Sequence, residues 1–327
     1  MIPFSILDLA PIVEGGDARQ ALHHARDLAR HAERCGYKRF WMAEHHSMPG
    51  IASAATAVAL AFVGEGTSTI RIGAGGIMLP NHAPLIIAEQ FGTLESLFPG
   101  RIDLGLGRAP GTDQAAAHAM RRNLASDDNQ FPRDVVELMD YFKGGDGKRV
   151  RAIPGEGLDI PVWILGSSLF GAQLAAMLGL PYAFASHFAP AAMMDAIRIY
   201  RERFQPSAQL DKPYVMLGFN AFAADTDEEA RLLATSVQQA VVNLRFGHPS
   251  KLPPPVEDYA ETLQPNARAI IDNFLTCSAI GSPATVKAAI EAFVAQTGAD
   301  ELMITAQIYD HQARLKSHET VAELFAG

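Results

Sequence analysis

Arg71-Ile72-Gly73-Ala74-Gly75-Gly76-Ile77-Met78 opens a stretch that continues through Leu79-Pro80-Asn81-His82, an amphipathic segment Pro84 to Leu97, and Arg101-Ile102-Asp103-Leu104-Gly105-Leu106. A short apolar run, a helix-length segment and a second short apolar run read as a strand, a crossover helix and a parallel strand. The same alternation extends outward in both directions. Strands are predicted at Phe4 to Leu9, Arg39 to Ala43, Arg71 to Met78, Arg101 to Leu106, Pro161 to Leu165, Tyr182 to Ala185, Tyr214 to Phe222 and Glu301 to Gln307. Helices are predicted at Ala18 to Cys35, Ser53 to Glu65, Pro84 to Leu97, Arg133 to Phe142, Leu169 to Leu178, Pro190 to Phe204, Asp227 to Leu244 and Gln312 to Phe325, with extra helical pieces at Asn266 to Phe274 and Pro283 to Gln296. Eight alternating pairs predict an α/β chain folded as a (β/α)8 TIM barrel; an open doubly wound sheet would also alternate. Two excursions break the rhythm: Ala109 to Pro132 after the fourth strand and Phe246 to Pro265 after the seventh helix. Both are expected as insertions in a single domain spanning residues 1–327, since long loops in such a fold commonly cover an active site.

Composition narrows the function. Hydrophobic residues make up 48% and charged residues 19% of 327 residues, which suits a large buried core. The formal charge of −9, without a lysine or arginine run, leaves no surface for a phosphodiester backbone and argues against a nucleic-acid partner. No run of apolar residues is long enough to cross a membrane. Met1 to Pro11 lacks a positive n-region and contains Asp8, so it reads as a first strand and not as a signal peptide. Cys35 and Cys277 are too few for a disulfide framework or a zinc site, and a cytoplasmic, thiol-independent protein is expected.

In a barrel, reactive groups sit at the C-terminal ends of the strands. Asp8, embedded in Ile6-Leu7-Asp8-Leu9, either anchors a loop or contacts a ligand, because a buried carboxylate needs partners. The second strand ends in Ala43-Glu44-His45-His46, where alternation sends one histidine toward the pocket and the other behind it. Adjacent histidines are poor metal geometry, and no metal is expected. The glycines of the third strand, Gly75 and Gly76, read as a close backbone approach to a flat ligand, an unusual peptide geometry, or a bulge. Gly105-Leu106-Gly107-Arg108-Ala109-Pro110-Gly111 departs from a dinucleotide fingerprint, with Pro110 where the third glycine belongs. Arg108 is placed to hold a phosphate or to form a plain salt bridge. Gly166-Ser167-Ser168 runs straight into a helix, a turn that either binds an anion or simply caps the helix. One phosphate would explain Arg108 and the serine turn together. His187, Tyr309, Asp310 and His311 lie near later strand ends, as rim residues or as the substrate end of the pocket.

Taken together, Ala43-Glu44-His45-His46, Arg71-Ile72-Gly73 through Leu79-Pro80, Pro99-Gly100-Arg101 through Gly107-Arg108, and Gly281-Ser282-Pro283 resemble the luciferase-like, flavin-dependent monooxygenases from the first strand to about Phe325. The nearest subgroup is the single-chain members that share a start like Ser5-Ile6-Leu7-Asp8. The resemblance implies that His45 is catalytic, supporting the reaction of reduced flavin with oxygen. It further implies that Gly75 and Gly76 form a nonprolyl cis peptide under the isoalloxazine. Arg108 and Gly166, Ser167 and Ser168 would bind the FMN phosphate. Asp8 would join the cofactor site, with His46, His187 and Tyr309 on the substrate side. Gly107 stands where the light-emitting catalytic subunit carries a reactive cysteine, and the region Phe246 to Pro265 departs from its mobile lid. A homodimer is implied, through helices around Ser53 to Glu65 and Pro84 to Leu97. The expectation is a two-component monooxygenase in which a separate NAD(P)H:flavin reductase supplies reduced FMN for oxygenation of an aldehyde or other small organic substrate. F420, the deazaflavin used elsewhere in the family, is the alternative cofactor. Non-catalytic flavin binding and a sugar-phosphate barrel are the rival functions.

Overall fold

The computed structural model describes residues 2–108, 119–120, 130–145 and 147–325. Its strands are β1 (Phe4–Asp8), β2 (Arg39–Met42), β3 (Arg71–Met78), β4 (Ile102–Gly107), β5 (Val162–Gly166), β6 (Tyr182–Phe184), β7 (Val215–Ala223), β8 (Ser278–Gly281) and β9 (Glu301–Thr305). Every pairing is parallel: β1 to β6 lie in sequence order, β9 pairs with β1 and β7, and β6 pairs with β7, so eight strands close into a barrel.

β8 was not expected. Ser278-Ala279-Ile280-Gly281 is too short to show a pattern between two helices, and tertiary pairing makes it a strand. β7 is nine residues long; Met216 to Asn220 pair with β9, and the overhanging Asn220 to Ala223 accept β8.

The helices are α1 (Ala18–Arg34), α2 (Thr56–Gly64), α3 (Pro84–Leu97), α4 (Gln130–Lys143), α5 (Leu169–Leu178), α6 (Met193–Arg203), α7 (Asp227–Arg245), α8 (Pro265–Phe274), α9 (Pro283–Thr297) and α10 (His311–Leu324). Their starts follow local chemistry. Asp17 accepts the Gln20 N–H and Ala21, Ala25, Leu28, Ala29 and Ala32 form the buried stripe of α1; Thr226 and Asp310 cap α7 and α10 in the same way. α2 begins at Thr56 and not at Ser53, because the Ser53 hydroxyl donates to the Ala43 carbonyl at 2.6 Å and ties the chain to the end of β2. α6 likewise starts at Met193, three residues beyond the predicted Pro190, after a turn closed by Met193 N–H on the Pro190 carbonyl.

The predicted insertion Ala109 to Pro132 lies outside the described residues except for residues 119–120 and 130–132. The second, Phe246 to Pro265, crosses the barrel mouth. Leu252 exchanges backbone hydrogen bonds with Ile12 and Glu14, and the Lys251 ammonium donates to the Gly16 carbonyl. Among the described residues, no helix is long and apolar enough to cross a membrane.

Candidate active site

The barrel interior is layered. At its N-terminal end the Arg39 guanidinium bridges Asp103 and Glu301, each at 2.8 Å, while Arg71 meets Asp103 at 2.7 Å. Burial alone would lower the Arg39 pKa, but the two carboxylates outweigh it and raise it. Above this layer, Leu7, Trp41, Trp163, Ala183, Met216 and Met303 form an apolar floor, with the two indoles edge to face at 5.2 Å. The Trp41 indole N–H donates down to Asp103 at 3.1 Å, joining floor to ion layer.

On that floor stands a cavity of about 1650 Å³, walled by the C-terminal ends of the strands and roofed by α7 and residues 247–252. This is the end of a parallel barrel at which loops can vary without disturbing the core. His45, His46, Gly75, Arg108, Gly166, Ser167, Ser168 and His187 all line it. Gly76 is not part of the lining, although the Gly75–Gly76 peptide is cis and the β3–β4 register shifts there. A Cβ on Gly75 would lie 2.9 Å from the Trp41 ring and 3.0 Å from Leu7, so the floor has no room for one.

Asp8 and Tyr309 do not line the cavity. The Asp8 carboxylate is buried against the Arg314 guanidinium at 2.5 Å and accepts the Ala10 N–H, which is the loop-anchoring arrangement. The Tyr309 hydroxyl donates to the Glu14 carbonyl at 2.9 Å, and Gln307, two residues earlier, takes the position facing the cavity.

The residues at one end of the cavity suit an anion. Ser168 holds the extended backbone of an N-cap, yet its side chain makes no capping bond, so the amides of the first turn of α5 keep their donors. The Arg108 guanidinium lies 4.4 Å from the Phe170 ring centroid, and Phe170 belongs to that same turn. A cation, two hydroxyls and a helix N-terminus thus converge on one edge of the cavity, a donor set that fits a phosphate monoester.

The histidines cluster elsewhere. Glu44 is buried at the end of β2; one oxygen accepts from His46 Nε2 at 2.6 Å and His82 Nε2 at 2.9 Å, and the other accepts the Met78 N–H at 3.0 Å. Burial pushes the Glu44 pKa up, but these partners, His82 foremost, outweigh it and hold the carboxyl below its ordinary value. Adjacent His45 and His46 predict no metal, since neighbours in a strand point to opposite sides. Folding instead brings His46, His82 and Glu44 together with ligand atoms within 4.8 Å of one another, a set able to hold a divalent cation. In the observed geometry both rings donate to the carboxylate. The His82 contribution was legible only as part of the motif after β3, because no spacing rule links it to Glu44, thirty-eight residues earlier.

His187 enters from the segment after β6, and burial followed by the nearby charge of His45 lowers its pKa to about 4. The lining also has an apolar part, formed by Val237, Val241 and Leu244 of α7 with Phe188 and Phe274.

The luciferase-like monooxygenase family profile matches residues 2–301. A luciferase-like monooxygenase of Escherichia coli K12 is 53% identical over 324 residues, covering 99% of this chain and 97% of that protein. The crystal structure of apo-MsnO8 superposes with a TM-score of 0.88 at 32% identity, covering 99% of this chain and 98% of the other. The oxygenating constituent of 3,6-diketocamphane monooxygenase of Pseudomonas putida, solved with FMN, gives a TM-score of 0.73 at 19% identity over 98% and 97% of the two chains, and shares the fold. A (β/α)8 barrel with its cavity at the C-terminal end of the strands is the class this chain represents. Within it, the chain belongs to the luciferase-like monooxygenase family.

Proposed function

We propose that the protein is the oxygenating component of a two-component, FMN-dependent monooxygenase acting on an aldehyde or another small, largely apolar substrate. The observation that carries this reading is the pairing, in one cavity, of a phosphate-shaped donor set at Arg108, Ser167 and Ser168 with His45 on another part of the wall. When bound, reduced FMN supplies the electrons with which one oxygen atom of O2 enters the product and the other leaves as water. Arg108 and the α5 N-terminus hold the phosphate, Gly75 leaves the floor flush for a flat ring system, and His45 manages a proton next to the reacting atoms. The apolar wall excludes water from them. No nucleotide fingerprint marks an internal NAD(P)H site, so a separate NAD(P)H:flavin reductase delivers the reduced cofactor.

We also infer a homodimer. Val58 of α2 and Ile86 and Leu97 of α3 are large apolar side chains exposed at 72%, 46% and 57%, on the helices expected from the sequence. A second copy covering them is the simplest way to remove that surface from water. A cytoplasmic location fits the need for such a reductase.

Anaerobic titration with reduced FMN tests the function, followed by oxygen in the presence of decanal with product and hydrogen peroxide quantified per flavin. Tight binding with decanoate formed in excess of peroxide supports the reading. Failure of reduced FMN to bind, with tight binding of reduced F420, would transfer it to a deazaflavin-dependent oxidoreductase.

A further inference from the structure

His187 is chemically unsatisfied in a way its neighbours are not. Its Nδ1 is closed off from solvent and has no hydrogen-bond partner among the described residues. The nearby imidazoles of His46 and His82 each donate to Glu44. A closed-off nitrogen without a partner is least costly unprotonated, which places the proton of the neutral ring on Nε2.

The ring is nonetheless held firmly. Asn220 Nδ2 donates to the His187 carbonyl at 2.9 Å, and the Ser186 hydroxyl donates to the Gly218 carbonyl at 2.6 Å, stapling the segment to β7 on both sides of the ring. Gly218 faces the cavity between Met216 and Asn220, and the imidazole fills the place of its missing side chain: a Cβ there would lie 2.0 Å from Nδ1. With Nδ1 packed onto the strand, the Nε2 edge is the polar edge left to the cavity. A group placed this rigidly, at no benefit to its own hydrogen bonding, has the character of a recognition element.

We propose that His187, seated on Gly218, is the specificity-determining residue of the cavity, its Nε2 edge hydrogen-bonding an uncharged acceptor on the substrate, a carbonyl oxygen, while the apolar body lies along Val237, Val241 and Leu244. This rests on the proposed function in taking the substrate as a small, largely apolar molecule. Charge decides the class of acceptor. Burial disfavours the imidazolium, as does His45 nearby, so the ring stays uncharged at neutral pH and offers no counter-ion to a carboxylate. The residue therefore discriminates an aldehyde or ketone from the corresponding acid, which lets an oxidised acid product leave.

The test uses binding and not turnover. 2-Decanone and decanoate are titrated calorimetrically into the full-length protein, with and without oxidised FMN, while histidine-labelled protein is followed by NMR. The expected result is that 2-decanone binds more tightly than decanoate and shifts the His187 ring resonances. His187→Phe and Gly218→Ala each weaken 2-decanone about tenfold, the loss of one hydrogen bond. His187→Gln, which keeps a donor, stays within about threefold, and unchanged melting temperatures certify that the variants are folded. Undiminished 2-decanone binding by His187→Phe would overturn the assignment, as would tighter decanoate binding that protonates the ring. If ketone recognition follows His187 while reduced FMN does not bind, the flavin reading fails and this one stands. If FMN binds and His187→Phe is silent, the reverse holds.

Discussion

The two ends of the barrel use the same strands for opposite purposes. β2 carries Arg39 at its start and leads to His45 beyond its end; β4 carries Asp103 and leads to Arg108; β9 starts at Glu301 and leads to Gln307. At the N-terminal end each of these charges is paired: Arg39 with Asp103 and Glu301, Asp103 also with Arg71 and Trp41, and Glu301 also with Ser5, Lys38 and Tyr214. At the C-terminal end the Glu44–His46–His82 cluster is closed, but two groups are not: the start of α5 at Ser168 has no side-chain cap, and the His187 Nδ1 has no partner among the described residues. A polar group satisfied within the protein is spent on stability, and one left unsatisfied at a cavity wall is available to a ligand.

The largest expected effect breaks the closed end. Asp103→Ala leaves Arg39 and Arg71 without their shared carboxylate and removes about 3–5 kcal/mol of stability, readable by urea denaturation. A loss below about 1 kcal/mol would mean the layer is solvated and the contrast between the ends is false. At the open end, His45→Ala lowers product formed per reduced flavin about a hundredfold in protein that still folds, with peroxide rising in its place. Unchanged yield would remove His45 from the chemistry.

Arg108→Ala sharpens the contrast within the open end. It weakens reduced FMN about tenfold to a hundredfold and leaves reduced riboflavin unaffected, because only the phosphate is lost to it. Equal weakening of both would show that Arg108 acts through the ring system or through packing on Phe170.

The smallest effect concerns a carboxylate on the outside of the closed end, at the approach to β3. Glu33 accepts the N–H groups of Ser68, Thr69 and Ile70 and the Thr69 hydroxyl, through one oxygen. Burial would raise its pKa, but those four donors lower it to about 2 from an ordinary 4.5. A depressed folded-state value means the stabilisation is complete above about 4.5 and is lost as pH falls through about 2. Glu33→Gln therefore costs about 1 kcal/mol at pH 7, and the gap to wild type narrows below pH 4. A gap that is constant with pH would assign the effect to packing.

Much of this was legible along the chain. The strand–helix alternation predicted the eight barrel strands, since a strand buried on both faces shows itself as a short apolar run whatever its partner. Arg108, the serine turn and His45 were found by reading strand ends, because in a parallel barrel that position already implies the cavity. The same reading over-reached at Asp8 and Tyr309. A residue at a strand end can turn inward or outward, and Arg314 and the Glu14 carbonyl, both distant in sequence, turned these two away.

Local pattern and residue chemistry were enough to determine the barrel, its polar mouth and the family to which it belongs, because periodicity, caps and breakers act over a few residues. The ion layer under Trp41, the convergence of His46 and His82 on Glu44, strand β8 and the seat of His187 on Gly218 were decided only in three dimensions. Each joins residues from different strands or loops, and which charges pair, and which ring is packed against which strand, depends on packing that no single segment contains.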